Sequence, residues 1–395
     1  MFLSLFIIFT LGIFGGLIFE KIKLPKLIWF ILLGILIGPS VLNIVDETLI
    51  SISSYLRQIA LILILTRSGL SLSINNLKKI GRPAILMCFI PACFEIIGVL
   101  IFAPIFLNIT YLEALLLGSV LAAVSPAIVV PRMIKLIEEG YGKDKNVAEL
   151  VLAGASVDDI FVIVLFYAFK GLVSTNVFNG WNIIQIPISI VLGMLLGTIV
   201  GFLVAFIIKK TKTNTIINVI LMLGLSFGML YLEEILKPYI SVSALLAIII
   251  MGLIIALIRK EESKEIQKSY NSLWNGFEIL LFVLVGIATN INYAFSDNGV
   301  MILGLIIIAL IFRSLGVIVC LIATKFHWKE KLFIVLSYLP KATVQASIGA
   351  IALTEGLACG DIVLTSAVVS ILFTAPMGAI LIDNTYKKLL KQTNC

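Results

Sequence analysis

Apolar segments of transmembrane length fill almost the whole of this chain and leave little room for a soluble fold. A helix needs about 20 mostly apolar residues to cross a bilayer, and about thirteen segments approach or reach that length. They cover residues 2–19, 27–44, 56–74, 83–107, 112–132, 147–169, 183–208, 215–232, 240–258, 277–293, 300–324, 331–354 and 360–382. With 61% hydrophobic residues and a mean hydropathy of +1.16, the chain has more apolar surface than a soluble core could bury. We predict an all-α polytopic membrane protein and number these spans 1 to 13.

Basic residues predict the orientation in the membrane, because cytoplasmic loops retain Lys and Arg during insertion. Most of the 29 Lys and Arg residues follow odd-numbered spans or lie in the C-terminal tail. Among them are Lys21, Lys23, Lys26, Lys78, Lys79, Arg82, Lys209, Lys210, Lys212, Lys387 and Lys388. We expect a multi-pass protein of the plasma (inner) membrane with its N-terminus outside and its C-terminus cytoplasmic. Its net charge of +7 is attributed to topology and contact with membrane lipid, not to nucleic-acid binding.

Cysteine and histidine spacing argues against a zinc or redox site. The single histidine, His327, is predicted in a loop, and the cysteines are scattered: Cys88, Cys93, Cys320, Cys359 and Cys395. The sequence has no glycine-rich ATP loop. We therefore expect no cofactor, no ATP, no enzymatic activity and no catalytic residues, which leaves an ion gradient as the energy source. The charged segment "RKEESKEIQKSYNSLW" after span 9 is predicted to be a surface helix.

Two adjacent acids, Asp158 and Asp159, interrupt span 6 in "AGASVDDIFV". Asp158 is about eleven residues into the span, or about 16 Å deep at 1.5 Å per residue. A charge at that depth costs about 2.5–3.5 kcal/mol and normally faces protein or a water-filled cavity. Desolvation and a like-charged neighbour favour a protonated carboxyl, so we expect at least one of the two to exchange its proton near neutral pH. Without that proton it offers the hard oxygen ligands that suit Na⁺ or Li⁺. The alternative is that both acids have buried partners and only hold helices together.

Three more charged residues lie inside apolar spans: Glu95 in span 4, Arg313 in span 11 and Lys341 in span 12. Glu95 and Arg313 are at matching depths, which predicts an ion pair between their spans. Such a pair would act either as a structural strut or in coupling.

Prolines interrupt two spans that bear on the acid pair. Span 5 contains "AAVSPAIVVPR" with Pro126 and Pro131, and span 12 contains "SYLPKATVQAS" with Pro340. Ordinary proline kinks would explain either one alone. Paired breaks in oppositely directed spans instead predict inverted repeats with two broken crossing helices, a pattern that marks the substrate site of a transporter. Glycines 193, 197 and 201 in span 7 predict close helix packing.

The motifs "VSPAIVVPRM", "EEGYGKDKNVAELVLAGASVDDI", "IFRSLGV" and "LPKATVQASIGA" occur in the order seen in a known family. Through them nearly the whole chain resembles the cation/proton antiporters, most closely the sodium/proton exchangers of the NHA branch. The resemblance implies exchange of Na⁺ (or Li⁺) for H⁺ by alternating access, with proton and cation competing for the buried Asp pair. It also implies a homodimer in which a core unit moves against a dimerisation scaffold.

The division implied by the resemblance assigns each part of the chain to one of four roles. Residues 1–75 (spans 1–3) and 215–298 (spans 8–10) are scaffold. Residues 82–170 (spans 4–6) and 300–383 (spans 11–13) are core. Residues 183–209 form a linking span, and residues 384–395 form the cytoplasmic tail.

Carried over residue by residue, the resemblance makes Asp159 the principal cation and proton site and Asp158 the acid that distinguishes this branch. Ser125 and nearby carbonyls would complete the shell of the Na⁺ or Li⁺. Arg313 stands where many related bacterial exchangers carry a lysine, and arginine keeps its proton. Either Lys341 takes over that role or fewer protons move. We favour electrogenic exchange, with the preference among Na⁺, Li⁺ and K⁺ left open.

Other classes of function share some of these features. A sodium-coupled symporter of an organic anion, or a channel, could use crossed broken helices. An intramembrane aspartyl protease also needs two buried acids, but neighbours on one helix point apart and cannot share a water.

Overall fold

The computed structural model describes residues 1–71, 81–175, 180–211, 214–237 and 239–392, without the side chains of residues 156, 175 and 180–186. Four residues named above lie outside the described residues: Lys78, Lys79, Lys212 and Cys395.

Helices joined by short turns make up nearly all of the described chain. In order they are α1 (Phe2–Lys21), α2 (Lys26–Ile37), α3 (Glu47–Ser71), α4 (Arg82–Met87), α5 (Ile90–Leu107), α6 (Tyr111–Leu121), α7 (Pro126–Glu138), α8 (Val147–Thr175), α9 (Gly180–Thr211), α10 (Thr215–Leu236), α11 (Ala244–Ile258), α12 (Lys260–Ala288), α13 (Ile291–Ala294), α14 (Asp297–Cys320), α15 (Trp328–Ser337), α16 (Thr343–Ile348), α17 (Ile351–Thr354) and α18 (Gly360–Leu389).

Within the described ranges, ten helical segments are long and apolar enough to cross a membrane. Three shorter apolar segments, Lys26–Ile37, Ala244–Ile258 and Thr343–Thr354, coincide with other predicted spans. The all-α membrane architecture is thus confirmed, while the count of thirteen spans stays a prediction. The charged segment after span 9 is not a separate surface helix, because it runs without a break into the apolar half of α12.

Both proline-containing spans are interrupted. Span 5 divides into α6 and α7 at residues 122–125, and span 12 divides into α15 and α16 at residues 338–342. Pro126 is the first residue of α7, where its missing N–H costs nothing. The prediction of a break at Pro131 is wrong: Pro131 lies inside α7, which continues past it. A helix-interior proline removes one hydrogen bond, and neighbouring packing can hold the helix together around it.

Over the described residues the chain forms two compact units, and the first comprises Met1–Ser54, Ser73–Val173 and Ile279–Cys395. This unit contains every candidate site residue. Within it α5 packs along α14, where Gly98 accommodates the ring of Phe312. The end of the chain is attached to the turn after α7, because the Gly142 N–H donates to the Lys391 carbonyl at 2.9 Å.

The second unit comprises Tyr55–Leu72 and Ser174–Glu278, and α9 packs along α11 within it. The glycines predicted to allow close packing lie at this contact. A Cβ at Gly193 would be 2.6 Å from the Ser243 carbonyl oxygen, and one at Gly197 would be 2.4 Å from that of Ala247. The prediction is confirmed, since only glycine allows the two backbones to approach this closely.

We expect Gly197→Ala to lower the free energy of unfolding by about 1–3 kcal/mol, because the new methyl group must push α9 away from α11. Thermal unfolding of the purified protein in detergent measures the change. Gly224→Ala is the matched control, since a Cβ at this exposed position in α10 meets nothing within 4 Å. There the higher helix propensity of alanine should leave stability unchanged or raise it by up to about 1 kcal/mol. Equal effects of the two changes would contradict the close-packing explanation.

Candidate functional site

The two aspartates of α8 are buried in the first unit. Asp158 is fully buried, and Asp159 is 3% exposed. One oxygen of Asp158, Oδ2, accepts hydrogen bonds from the Arg313 Nη2 at 2.8 Å and from the Val124 backbone N–H at 2.9 Å. The acid is therefore held between a guanidinium and the break that precedes α7. A donor from the start of a helix and a cation both stabilise the ionised form of a carboxyl.

A second carboxylate, Glu95 in α5, lies between the two buried cations. Its Oε2 is 3.0 Å from the Arg313 Nη1, and its Oε1 is 2.6 Å from the Lys341 Nζ. The predicted ion pair between spans 4 and 11 is confirmed, and Lys341 extends it to the broken span 12. These three side chains are at most 1% exposed, so water does not screen the interaction.

Side chains from other helices satisfy the carbonyls that the end of α6 leaves without helical partners. The Lys341 Nζ donates to the Leu121 carbonyl, and an Arg313 N–H donates to the Ala122 carbonyl. The Gln345 Nε2 lies 3.0–3.3 Å from the same Leu121 carbonyl oxygen and from two further ones, those of Val120 and Ala123. Cations at this C-terminal helix end also interact favourably with the helix dipole. The unwound backbone is thus stabilised by donors in place of water.

The two breaks are also joined directly. The Ser125 backbone N–H donates to the Pro340 carbonyl at 2.8 Å. The Arg313 Nε donates to the Tyr338 carbonyl at 2.6 Å, and the Lys341 N–H donates to the Thr374 Oγ1 of α18 at 2.9 Å. Backbone groups freed by unwinding therefore form the scaffold that positions the charged side chains.

Local sequence features position the helices that bear these residues. Thr110 and Glu113 form a capping box at the start of α6, with the Thr110 N–H 2.8 Å from the Glu113 Oε2. Glu330 accepts from the His327 N–H at 2.6 Å at the start of α15 and forms a salt bridge with Lys145 at 2.8 Å. Gly154, one turn before Asp158, leaves room for the Tyr338 hydroxyl, which a Cβ there would meet at 1.9 Å.

Several buried oxygens near the breaks make no hydrogen bond within the described part of the chain. Among them are Ser125 Oγ, Asp158 Oδ1, Thr343 Oγ1 and Gln345 Oε1. Carboxylate, hydroxyl and amide oxygens are the ligands that hard cations prefer. The carbonyls of residues 120–123, by contrast, already accept bonds from Arg313, Lys341 and Gln345. A transported cation would compete with these donors for them.

The structure brings together most of the predicted site residues: Asp158, Ser125, Arg313, Glu95, Lys341 and Pro340. Gln345 and Thr374 were given no role in the sequence analysis, although both contact the broken segments. The sequence signal that pointed to Gln345 was its position four residues after Lys341. No sequence signal pointed to Thr374, because its contact depends on how α18 packs against the second break.

Asp158, Glu95, Arg313 and Lys341 contribute two carboxylates and two cations to one network of contacts. Asp159, the residue after Asp158 in α8, is buried as well. Two negative charges on adjacent buried residues repel each other strongly in a low-dielectric interior. One bound monovalent cation, either a proton or a metal ion, would relieve that repulsion.

Buried charges between two interrupted helices are typical of membrane proteins that move ions. The profile of the family described as "Sodium/hydrogen exchanger, transmembrane" matches residues 5–386. The chain therefore belongs to the sodium/hydrogen exchanger family, whose members are multi-pass ion antiporters.

Similar proteins span nearly the whole chain. It is 36% identical to sodium/hydrogen exchanger 9B1 of Mus musculus, across 99% of this chain and 71% of that protein. It is 32% identical to sodium/hydrogen exchanger 9B2 of Homo sapiens, across 98% of this chain and 75% of that one. The fold matches that of the sodium proton antiporter MjNhaP1 from Methanocaldococcus jannaschii with a TM-score of 0.83 and 24% identity, covering 98% of this chain and 97% of that one.

We expect Gln345→Glu to destabilise the protein by several kcal/mol, because it replaces a donor amide by a buried carboxylate facing three carbonyl oxygens. The thermal unfolding midpoint in detergent measures the loss. Gln267→Glu makes the same chemical change at a half-buried position of α12 and should have little effect. If both variants unfolded at the native temperature, Gln345 would not support the break.

Proposed function

We propose that this protein exchanges Na⁺ or Li⁺ for H⁺ across the membrane by alternating access, with Asp159 as the group for which the two cations compete. Its relatives 9B1 and 9B2 are named as sodium/hydrogen exchangers. The observation that carries the proposal is the burial of two adjacent carboxylates, Asp158 and Asp159, at the break that precedes α7.

A carboxylate that binds a proton loses its charge and its ability to hold a metal ion. Either cation therefore removes the buried negative charge, and the two exclude each other. The empty site keeps that charge, which makes its passage through the membrane interior costly. Such a site transports one cation in each direction and does not leak.

The contacts of Asp158 bear on how many protons move in each cycle. Arg313 stays protonated in proteins, and its bond to Asp158 favours the ionised carboxylate. We assign the exchanged proton to Asp159 alone, which gives one proton per cation. The electrogenic exchange favoured in the sequence analysis would require a second group, such as Asp158 or Lys341, to exchange a proton as well.

The rest of the assignment supports the same reaction. Ser125 contributes its hydroxyl to the shell of Na⁺ or Li⁺ beside Asp158 and Asp159. Arg313, Glu95 and Lys341 form the network that compensates the charge of the buried acids. A homodimer in the plasma membrane, with the N-terminus outside and core and scaffold divided as in the sequence analysis, belongs to the proposal as well.

We expect Asp159→Asn to abolish Na⁺-dependent proton flux, because an amide cannot exchange a proton for a metal ion. The measurement uses purified protein in proteoliposomes that contain a pH-sensitive dye. Asp361→Asn, the same change at an exposed position in α18, should retain native flux. Full-speed exchange by the Asp159 variant would refute the proposal, provided that its unfolding midpoint matches that of the native protein.

We expect an imposed membrane potential to leave the rate of exchange unchanged. A net charge moved across 100 mV is worth about 2.3 kcal/mol, so two protons per cation would produce a strong voltage dependence. Initial rates in proteoliposomes with and without a valinomycin-clamped K⁺ potential give the answer. A severalfold change in rate would mean that a second group, with Lys341 the first candidate, also titrates.

A further inference from the structure

A cleft of about 800 Å³ opens on the surface of the first unit, away from the buried site. Its lining residues come from the turn after α1, from α7 and from the end of α18. They are Lys23, Lys135, Asp383, Asn384, Tyr386, Lys387 and Lys388. Four of the seven are lysines, and all four are exposed.

Among the described residues, three of these four lysines have no acidic partner. Asp383, the only acid in the lining, is 3.1 Å from the Arg132 Nη2 and is therefore already paired. Lys135 forms a long i,i+4 salt bridge with Glu139, at 3.8 Å. Among the described residues, Lys23, Lys387 and Lys388 form no salt bridge. Like charges gathered around one cleft repel one another, so their arrangement calls for an anion.

Tyr386 forms a largely buried part of the cleft wall. It is 5% exposed, and its hydroxyl donates to the Glu139 Oε2 at 2.9 Å. The ammonium groups of Lys135 and Lys387 lie 5.9 and 5.7 Å from the centre of its ring. Both distances are within the range of cation–π contacts, so the ring attracts the two ammonium groups toward the cleft.

Lys23 reaches the cleft from a strained backbone position. Its φ is +62°, the left-handed conformation that follows many helices and is usually taken by glycine or asparagine. Topology and helix dipoles explain why lysines are common at the ends of spans. Neither explains why lysines from three separate parts of the chain border one cleft, or why one of them occupies a position that disfavours a side chain.

We infer that this cleft binds the phosphate group of an anionic membrane lipid. The ligand chemistry is a phosphate anion, which several ammonium groups can contact together. A lipid is the source that the location favours, because α1 and α18 are candidate spans that end at the cleft, at the level of lipid headgroups. The inference does not depend on the exchange mechanism, so its test is independent of the proposed function.

The test measures binding to the full-length protein in neutral detergent by calorimetric titration. The probes are dihexanoyl phosphatidylglycerol, dihexanoyl phosphatidylcholine with the same chains but no net charge, and inorganic phosphate. The cleft variant combines Lys23→Gln, Lys387→Gln and Lys388→Gln. The matched control combines Lys268→Gln, Lys325→Gln and Lys329→Gln, which removes the same charge from exposed positions elsewhere.

We expect phosphatidylglycerol to bind the native and control proteins with equal affinity and the cleft variant at least tenfold more weakly. Phosphatidylcholine should bind none of them specifically. If lipid binding weakened equally in both variants, the loss would follow from net charge alone, and the site would be overturned. The absence of lipid binding to the native protein would overturn it as well. Inorganic phosphate that bound as tightly as the lipid, with the same loss in the cleft variant, would overturn the lipid as the source.

Discussion

The guanidinium of Arg313, buried among apolar helices, is the interaction on which the interior of the first unit depends. It donates to two carboxylates, Glu95 and Asp158, and to one carbonyl from each break, those of Ala122 and Tyr338. Charged side chains and unwound backbone are each costly within a membrane. Here each stabilises the other. The planar, forked shape of arginine allows four acceptors to be bound at once, which a lysine ammonium could not do.

This mutual stabilisation explains how charged side chains can be buried among apolar helices. Protein donors take the place of solvent at the end of α6, and Asp158 receives both a cation and a backbone N–H. The next residue, Asp159, is also buried, so two acids lie side by side in α8. A single positive charge bound there, whether H⁺ or Na⁺, would relieve their repulsion, and these two ions share little besides their charge.

Periodicity, charge and proline placement predicted much of this arrangement. The apolar spans, the buried acids, the Glu95–Arg313 pair and the two interruptions could be predicted because a membrane leaves few alternatives for charged residues and proline. The position of the first break was harder. It lies at residues 122–125, ahead of Pro126, because donors from Arg313, Lys341 and Gln345 satisfy the carbonyls there. Pro131 has the same local effect on a helix yet breaks nothing. Such outcomes depend on partners more than 180 residues away in sequence, which no local pattern reveals.

The bond between Asp158 and Arg313 also imposes an order of events on biosynthesis. The two residues are 155 positions apart. At about 5–20 residues per second, the ribosome makes the partner of Asp158 roughly 8–30 s after the acid itself. During that interval the N-terminal spans carry an uncompensated acid and open backbone carbonyls. A nascent chain of this kind must be sheltered by the insertion machinery, or keep its acids protonated, until the last third of the protein emerges.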